Sequence, residues 1–336
     1  MWVAATIATL AGYVLVVRRA RALAPRLGLG AINAGIVLAS VTFAFTWVAT
    51  LPFALVNAWW ERRHGISTQS YAAAVVQGWE QLLGVVFIAV VALAIVLGIA
   101  RRFGRRWWLV AAPTLTLILL SLQLVAPYAL SAGSKPVRNA HLRADLAALA
   151  AREHAGHPAF RVEDVSGSTR AANAYSVGFG PTQRVVLWNT LLDGRFNLAE
   201  VRFVIAHELG HLARNHILRG VAWFGLLLLP ILFVVAKLVD IRRPSAVPAA
   251  LLVVAVLQLA VLPLRNAISR RYESEADWIA LNGTRDPRSG SDLFEGFVLA
   301  SLQDPSPPGW VHVLLDDHPT ALQRVEMTRA WSERGR

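Results

Sequence analysis

Two histidines four residues apart, His207 and His211, bracket a glutamate, Glu208, in the run His-Glu-Leu-Gly-His. Positions i and i+4 of a helix share one face, so both imidazoles can reach a single metal ion. Glu208 is placed to take a proton from water rather than to bind the metal, which makes it a candidate general base. Zinc suits such a site, because imidazole and carboxylate ligands with one open position are the hydrolytic pattern. The residues around the motif, Val201, Phe203, Val204, Ile205, Leu209 and Leu212, predict a buried helix. Two histidines and a glutamate in such a helix are costly unless they are bound to something.

A third protein ligand is needed, and residues 269–283 offer Glu273, Glu275 and Asp277. Glu273 and Asp277 are four apart and share a helix face, whereas Glu275 points roughly the opposite way. We therefore expect Glu273 on the metal and Asp277 behind it, orienting a ligand imidazole through its free N–H. Glu275 reads as solvated or arginine-paired. His216 lies five residues after His211, about 140° further round a continuous helix, and reads as a non-ligand. His141, His154 and His157 read as surface residues.

The elements that must position these groups are unusual for an enzyme. Of 336 residues, 55% are hydrophobic and 16% charged, with a mean hydropathy of +0.48; soluble domains carry about 25% charged residues. This composition excludes a disordered chain. The absence of cysteine excludes a disulfide framework, a thiolate metal site and a cysteine nucleophile. The net charge is +12, and Lys135 and Lys237 are the only lysines. The arginines cluster at the ends of apolar runs, as in membrane proteins, so no nucleic-acid partner is expected.

Six runs are free of charge for long enough to span a bilayer: 1–17, 27–60, 81–100, 107–134, 220–236 and 244–264. The second exceeds one straight span, so one end should lie in the interface or continue as helix into water. The first has no basic segment before it, and Arg18, Arg19 and Arg21 follow it. It is expected to be a retained anchor rather than a cleaved leader. Between the spans, 141–155 and 197–217 have helical spacing, while 160–164 and 175–189 look extended, the latter as two strands around a Gly-Pro turn. The expected fold is a mainly α, polytopic membrane protein of about six transmembrane helices, with a small α+β catalytic portion split over two loops. Its expected parts are N-terminal spans (1–134), a catalytic portion with the HExxH helix (135–217), a transmembrane pair (218–265) and a C-terminal catalytic portion (266–336).

Taken together, these motifs resemble the CAAX prenyl endopeptidases, membrane-embedded zinc proteases of the gluzincin type. The family pattern HELGH is His207–His211, and ExxAD is Glu273, Ser274, Glu275, Ala276 and Asp277. An HPxxxxR element appears as His318, Pro319 and Arg324. NAYSVGFGPTQRVVLWNTLL (173–192), ERRHGIS (61–67) after LPFALV, and RRWWL (105–109) are also similar to family segments. The best-known members are longer and have more spans; a span is expected to be missing at the start here, and the stretch between the last span and His318 is compact.

The resemblance implies one zinc ion per chain and helices enclosing a chamber. It also implies that His318 lies near the scissile carbonyl as an electrophilic partner. Arg324 would be structural or would support the oxyanion. Asn173, Ala174 and Tyr175 would begin an edge strand that pairs with an extended substrate. The expected activity is hydrolysis of membrane-associated or lipid-modified peptides. Two alternatives stay open: quality control of damaged membrane proteins, and maturation of a specific secreted peptide. The partners expected are a peptide or protein substrate and the lipid bilayer. Positive charge marks the cytoplasmic side of short loops. Arg18, Arg19, Arg21 and Arg26, with Arg101, Arg102, Arg105 and Arg106, therefore predict a cell-membrane protein whose active site faces outward. The eukaryotic members of the family imply the opposite orientation.

Overall fold

The computed structural model describes residues 2–334; Met1, the first residue of the first expected span, lies outside the described residues. Four helices come first: α1 (Trp2–Arg26), α2 (Ala31–Arg63), α3 (Tyr71–Phe103) and α4 (Trp107–Leu130). A mixed segment follows: β1 (Lys135–Pro136), α5 (Ala140–Arg152), β2 (Ala159–Glu163), β3 (Ala174–Val177), β4 (Arg184–Trp188) and α6 (Leu198–Ala213). The remaining elements are α7 (His216–Leu238), α8 (Val247–Thr284), α9 (Pro287–Ser301), α10 (Gly309–Leu314) and α11 (Ala321–Arg334).

Among the described residues, five helical stretches are long and apolar enough to cross a membrane: Trp2–Arg26, Ala31–Arg63, Tyr71–Leu130, His216–Leu238 and Pro244–Thr284. The third contains both α3 and α4, joined by the single 3-10 turn Gly104–Arg106, so the six apolar runs fall on six helices. Gly104 ends α3 at φ +58°, a left-handed conformation that costs a residue without Cβ little. The long second run forms one continuous helix of 33 residues with Pro52 inside it.

The chain forms two compact units. The first comprises Met1–His64, Gln69–Ile118 and Ala222–Ala260. Small residues let its helices approach closely, which is how packing is achieved where apolar burial alone gives no preference: Ala20, Ala39, Ala100 and Ala111 are fully buried. The Tyr13 hydroxyl of α1 pairs with that of Thr46 on α2 at 2.9 Å.

The second unit comprises Gly65–Thr68, Leu119–Val221 and Val261–Arg336. Its four-stranded sheet has the order β1-β2-β4-β3. β2 and β4 are parallel, with Arg161 opposite Val186, and the outer strands are antiparallel to their neighbours. The inner strand β4 buries Val185, Val186 and Leu187 completely. The core joins Leu187 to Leu146 and Leu149 of α5, to Phe203, Ile205 and Leu209 of α6, and to Leu281 of α8. α6 starts at a capping box: the Asn197 side chain accepts from the Ala199 and Glu200 amides, while Glu200 accepts from the Asn197 amide.

Two boundaries differ from the sequence expectation. Residues 197–217 were expected as one helix, but α6 ends at Ala213 and α7 begins at His216. Asn215 sits between them at φ +53°, a left-handed position that asparagine tolerates better than most residues. The last apolar run does not stop near 264: α8 continues unbroken to Thr284, and its polar end carries Glu273 and Asp277.

Candidate active site

The site is built where α6 crosses the polar end of α8 inside the second unit. Gly210 makes the crossing possible: a Cβ there would meet the Ala276 Cα at 3.1 Å and its carbonyl oxygen at 3.2 Å. The glycine of HELGH and the alanine of ExxAD are thus the contact that lets two helix backbones meet. Within three residues of this contact on each helix, the polar groups converge.

His207 Nε2 lies 3.1 Å from His211 Nε2 and 3.2 Å from Glu273 Oε2, and His211 Nε2 lies 3.4 Å from Glu273 Oε1. One ligand atom from each of the three falls within 4.8 Å of the others. The donor set fits a metal ion. Glu273 Oε2 is buried without a hydrogen bond of acceptable geometry, and two imidazole nitrogens face each other across a gap that neither can satisfy with a proton on both. The electrostatics agree. Burial opposes charge on His207, yet the Asp277 and Glu273 carboxylates outweigh it and push the imidazole up to about 10. The two carboxylates thus favour positive charge at this point.

Each of the two histidines is held from behind. His207 Nδ1 lies 2.8 Å from Asp277 Oδ1, and Asp277 is clamped by Arg324, whose Nε and Nη2 donate at 2.8 and 2.6 Å. The Arg324 guanidinium also lies over the Phe294 ring, 4.1 Å from its centre. Asp277 is 1% exposed. Arg324 is therefore engaged with Asp277 through two of its nitrogens. On the other side, His211 Nδ1 lies 2.9 Å from His216 Nδ1, and His216 Nε2 lies 3.2 Å from Glu275 Oε2. Glu275 also accepts from Arg214 and Arg219, at 2.5 and 3.0 Å. It is arginine-paired, as its position on α8 predicted, but it also reaches a histidine.

His318 stands at the half-exposed rim, with Nε2 3.2 Å from Glu273 Oε2 and Nδ1 2.7 Å from Asp317 Oδ1. The hydrogen bond to Asp317 holds His318 above the ordinary imidazole value against its partial burial, and Glu273 adds to the effect. Asn266 and Arg270 of α8 fix the end of α10 and the loop after it, donating to the carbonyls of Leu314 at 2.8 Å and Asp316 at 2.6 Å. His207, Glu208, His211, Glu273, His318 and Arg324 line one cleft of about 1030 Å³. Asn173, Ala174 and Tyr175 line it too, at the outer strand β3. The Tyr175 hydroxyl donates to the Leu130 carbonyl and to Glu163, and burial and Glu163 push it up to about 12. His141, His154 and His157 are exposed and stand apart from the cleft. Sequence reasoning missed Asp317, Asn266, Arg270 and the contact of His216 with His211. Only Asp317, as the neighbour of His318, left a visible sign.

Residues 136–332, more than half of the chain, match Peptidase family M48. The chain belongs to that family. This M48 chain is 29% identical over 317 residues to the uncharacterized metalloprotease YhfN of Bacillus subtilis (strain 168), covering 86% of its own length and 73% of that protein. It is 28% identical over 287 residues to the CAAX prenyl protease 1 homolog of Arabidopsis thaliana, covering 77% of its own length and 66% of the plant protein. In fold it is similar to the crystal structure of S. mikatae Ste24p, with a TM-score of 0.78 at 18% identity, covering 89% of this chain and 77% of that one. The resemblance read from the motifs holds, and the M48 chain is a membrane metalloendopeptidase with a mainly helical, multi-span architecture and a small mixed sheet.

Proposed function

We propose that this M48 protein is a zinc endopeptidase that cuts extended, membrane-associated or lipid-modified peptides. His207, His211 and Glu273 would hold the ion, Glu208 would be the general base, and Asp277 would orient His207. The observation that carries the reading is the convergence of two imidazoles and a buried carboxylate within 4.8 Å, in the cleft that Glu208 lines. Three protein ligands with one position left open is the arrangement of hydrolytic rather than structural zinc.

A bound zinc ion would serve as a Lewis acid toward water and the scissile carbonyl. Glu208 then takes a proton from the attacking water and delivers it to the leaving amine, a contribution of about 10²–10⁴ in rate. His318, whose charged form the neighbouring Asp317 favours, would donate an N–H to the developing oxyanion, a role worth about 10²–10³ where such donors have been removed. Arg324 acts through Asp277 and keeps His207 in the tautomer that presents Nε2. The substrate is positioned by backbone pairing. Among the described residues β3 has β4 on one side only, so its other edge at Asn173, Ala174 and Tyr175 is available to an extended peptide.

The test is a trap. Glu208→Gln in cells should abolish cleavage while uncut substrates accumulate and co-purify, and their chemistry identifies the substrate class. Peptides without lipid modification or membrane anchoring among those trapped would contradict the substrate part of the reading.

We further propose an active site on the outer face of the cell membrane, supported by the arginines at 18–26 and 101–106. The chain has no cysteine, so single cysteines report cleanly. With a membrane-impermeant maleimide on intact cells, Ala132→Cys should label and Arg105→Cys should not. The reverse pattern would overturn this orientation.

A further inference from the structure

His211 can bind a metal through Nε2 only if its single proton sits on Nδ1. In the structure that Nδ1 faces one partner, the Nδ1 of His216, at 2.9 Å. Two Nδ1 atoms at this separation need one proton between them. If His211 supplies it, His216 must accept there and carry its own proton on Nε2. The acceptor for that proton is present: Glu275 Oε2 lies 3.2 Å from His216 Nε2, and Arg214 and Arg219 keep Glu275 a carboxylate in place. The chain of donors and acceptors therefore has one consistent direction, from the ion outward through His211 and His216 to Glu275.

We propose that His216 is a positioning residue that sets the tautomer and ring orientation of His211, with Glu275 setting the tautomer of His216. This inference rests on the reading of His207, His211 and Glu273 as metal ligands.

The helix break supplies the geometry. On a continuous helix His216 would lie about 140° away from His211. The left-handed turn at Asn215 ends α6 and starts α7 at His216, so the two rings meet with centres 5.0 Å apart. The His216 ring is fixed from its other face by Tyr272, stacked at 4.4 Å with planes 8° apart, and Arg219 covers the Tyr272 ring. His216 is 6% exposed, so its side chain is held by these neighbours and not by water. A ring with only a packing role would need no nitrogen toward His211 and none toward Glu275, and the His216 ring presents one to each.

The stacking and the acceptor can be separated by substitution. His216→Phe keeps an aromatic ring on Tyr272 but removes the acceptor. His216→Asn loses the ring but places an amide oxygen near the position of Nδ1. Zinc affinity of the full-length protein in detergent, measured by competition with a chromophoric chelator, should weaken about 10–100-fold in His216→Phe. It should stay within about threefold of wild type in His216→Asn. The cobalt-substituted protein should show an altered visible spectrum for His216→Phe only.

The opposite order, with Phe tolerated and Asn damaging, would assign His216 to packing and overturn the proposal. If His216→Phe does not fold, Glu275→Ala reads the same chain from its outer end. A loss of about two- to fivefold is expected there, the range of a partly exposed charge contact, and unchanged affinity overturns the link. Wild-type protein that fails to bind zinc tightly would overturn the metal-ligand reading itself. Tight wild-type binding with unchanged affinity in His216→Phe overturns only the role of His216.

Discussion

His207 and His211, the two histidines proposed as ligands, sit one helical turn apart, yet they are supported in different ways. His207 leans on a carboxylate that is 1% exposed and clamped by the two parallel hydrogen bonds of Arg324. His211 leans on a second imidazole, His216, and the carboxylate beside that ring, Glu275, is at the edge with the half-exposed Arg214 and Arg219. Burial sets the difference. A buried ion pair is expensive to form and more expensive to break, because the surviving charge has no water to turn to. An exposed pair contributes little and loses little. The inner support is therefore rigid and coupled to folding, and the outer one is adjustable and coupled mainly to the orientation of one ring.

The comparison breaks most sharply at the inner support. Arg324→Ala leaves Asp277 buried with only His207 beside it and should cost about 3–5 kcal/mol. Chemical denaturation of the purified protein would read this, and a loss below about 1 kcal/mol would mean that Arg324 is a surface residue in energetic terms. Asp277→Asn keeps the shape and removes the charge; zinc should bind about 10–100-fold more weakly without being lost. Metal titration giving wild-type affinity would remove Asp277 from its role.

Between the two supports lies the helix contact they share. Gly210→Ala puts a methyl against the Ala276 backbone, where neither side is a flexible chain end. Overpacking of this kind costs about 1–3 kcal/mol, and the displacement of α8 should weaken zinc binding. Unchanged stability and affinity would show that the crossing has slack. The smallest effect belongs to the outer support. Glu275→Ala should leave stability within about 1 kcal/mol of wild type, and stability measured at low and high salt should differ less in the variant than in the wild type.

How legible this was in the sequence follows from the range of each interaction. His207, Glu208 and His211 are readable because their spacing is a property of one helix. Glu273 and Asp277 are readable against Glu275 for the same reason. The break at Asn215 was hidden, since the apolar spacing continues across it and asparagine is no strong signal on its own. α8 was read short because its apolar run ends at Leu264, although nothing after Arg265 stops a helix until the chain reaches Thr284. Arg324 looked ambiguous because α11 is polar for most of its length, and only the fold brings it over Asp277. The contact of His216 with His211 depends on a left-handed turn of one residue, which no periodicity records.

The central claim is that Glu208 does chemistry and Glu273 holds the ion. Zinc content of purified Glu208→Gln beside Glu273→Ala tests it most directly, with both proteins shown to be folded. The account predicts about one zinc per chain in Glu208→Gln, with no cleavage, and none in Glu273→Ala, as expected when one of three protein ligands is removed. A metal-free Glu208→Gln, or a fully loaded Glu273→Ala, would contradict it.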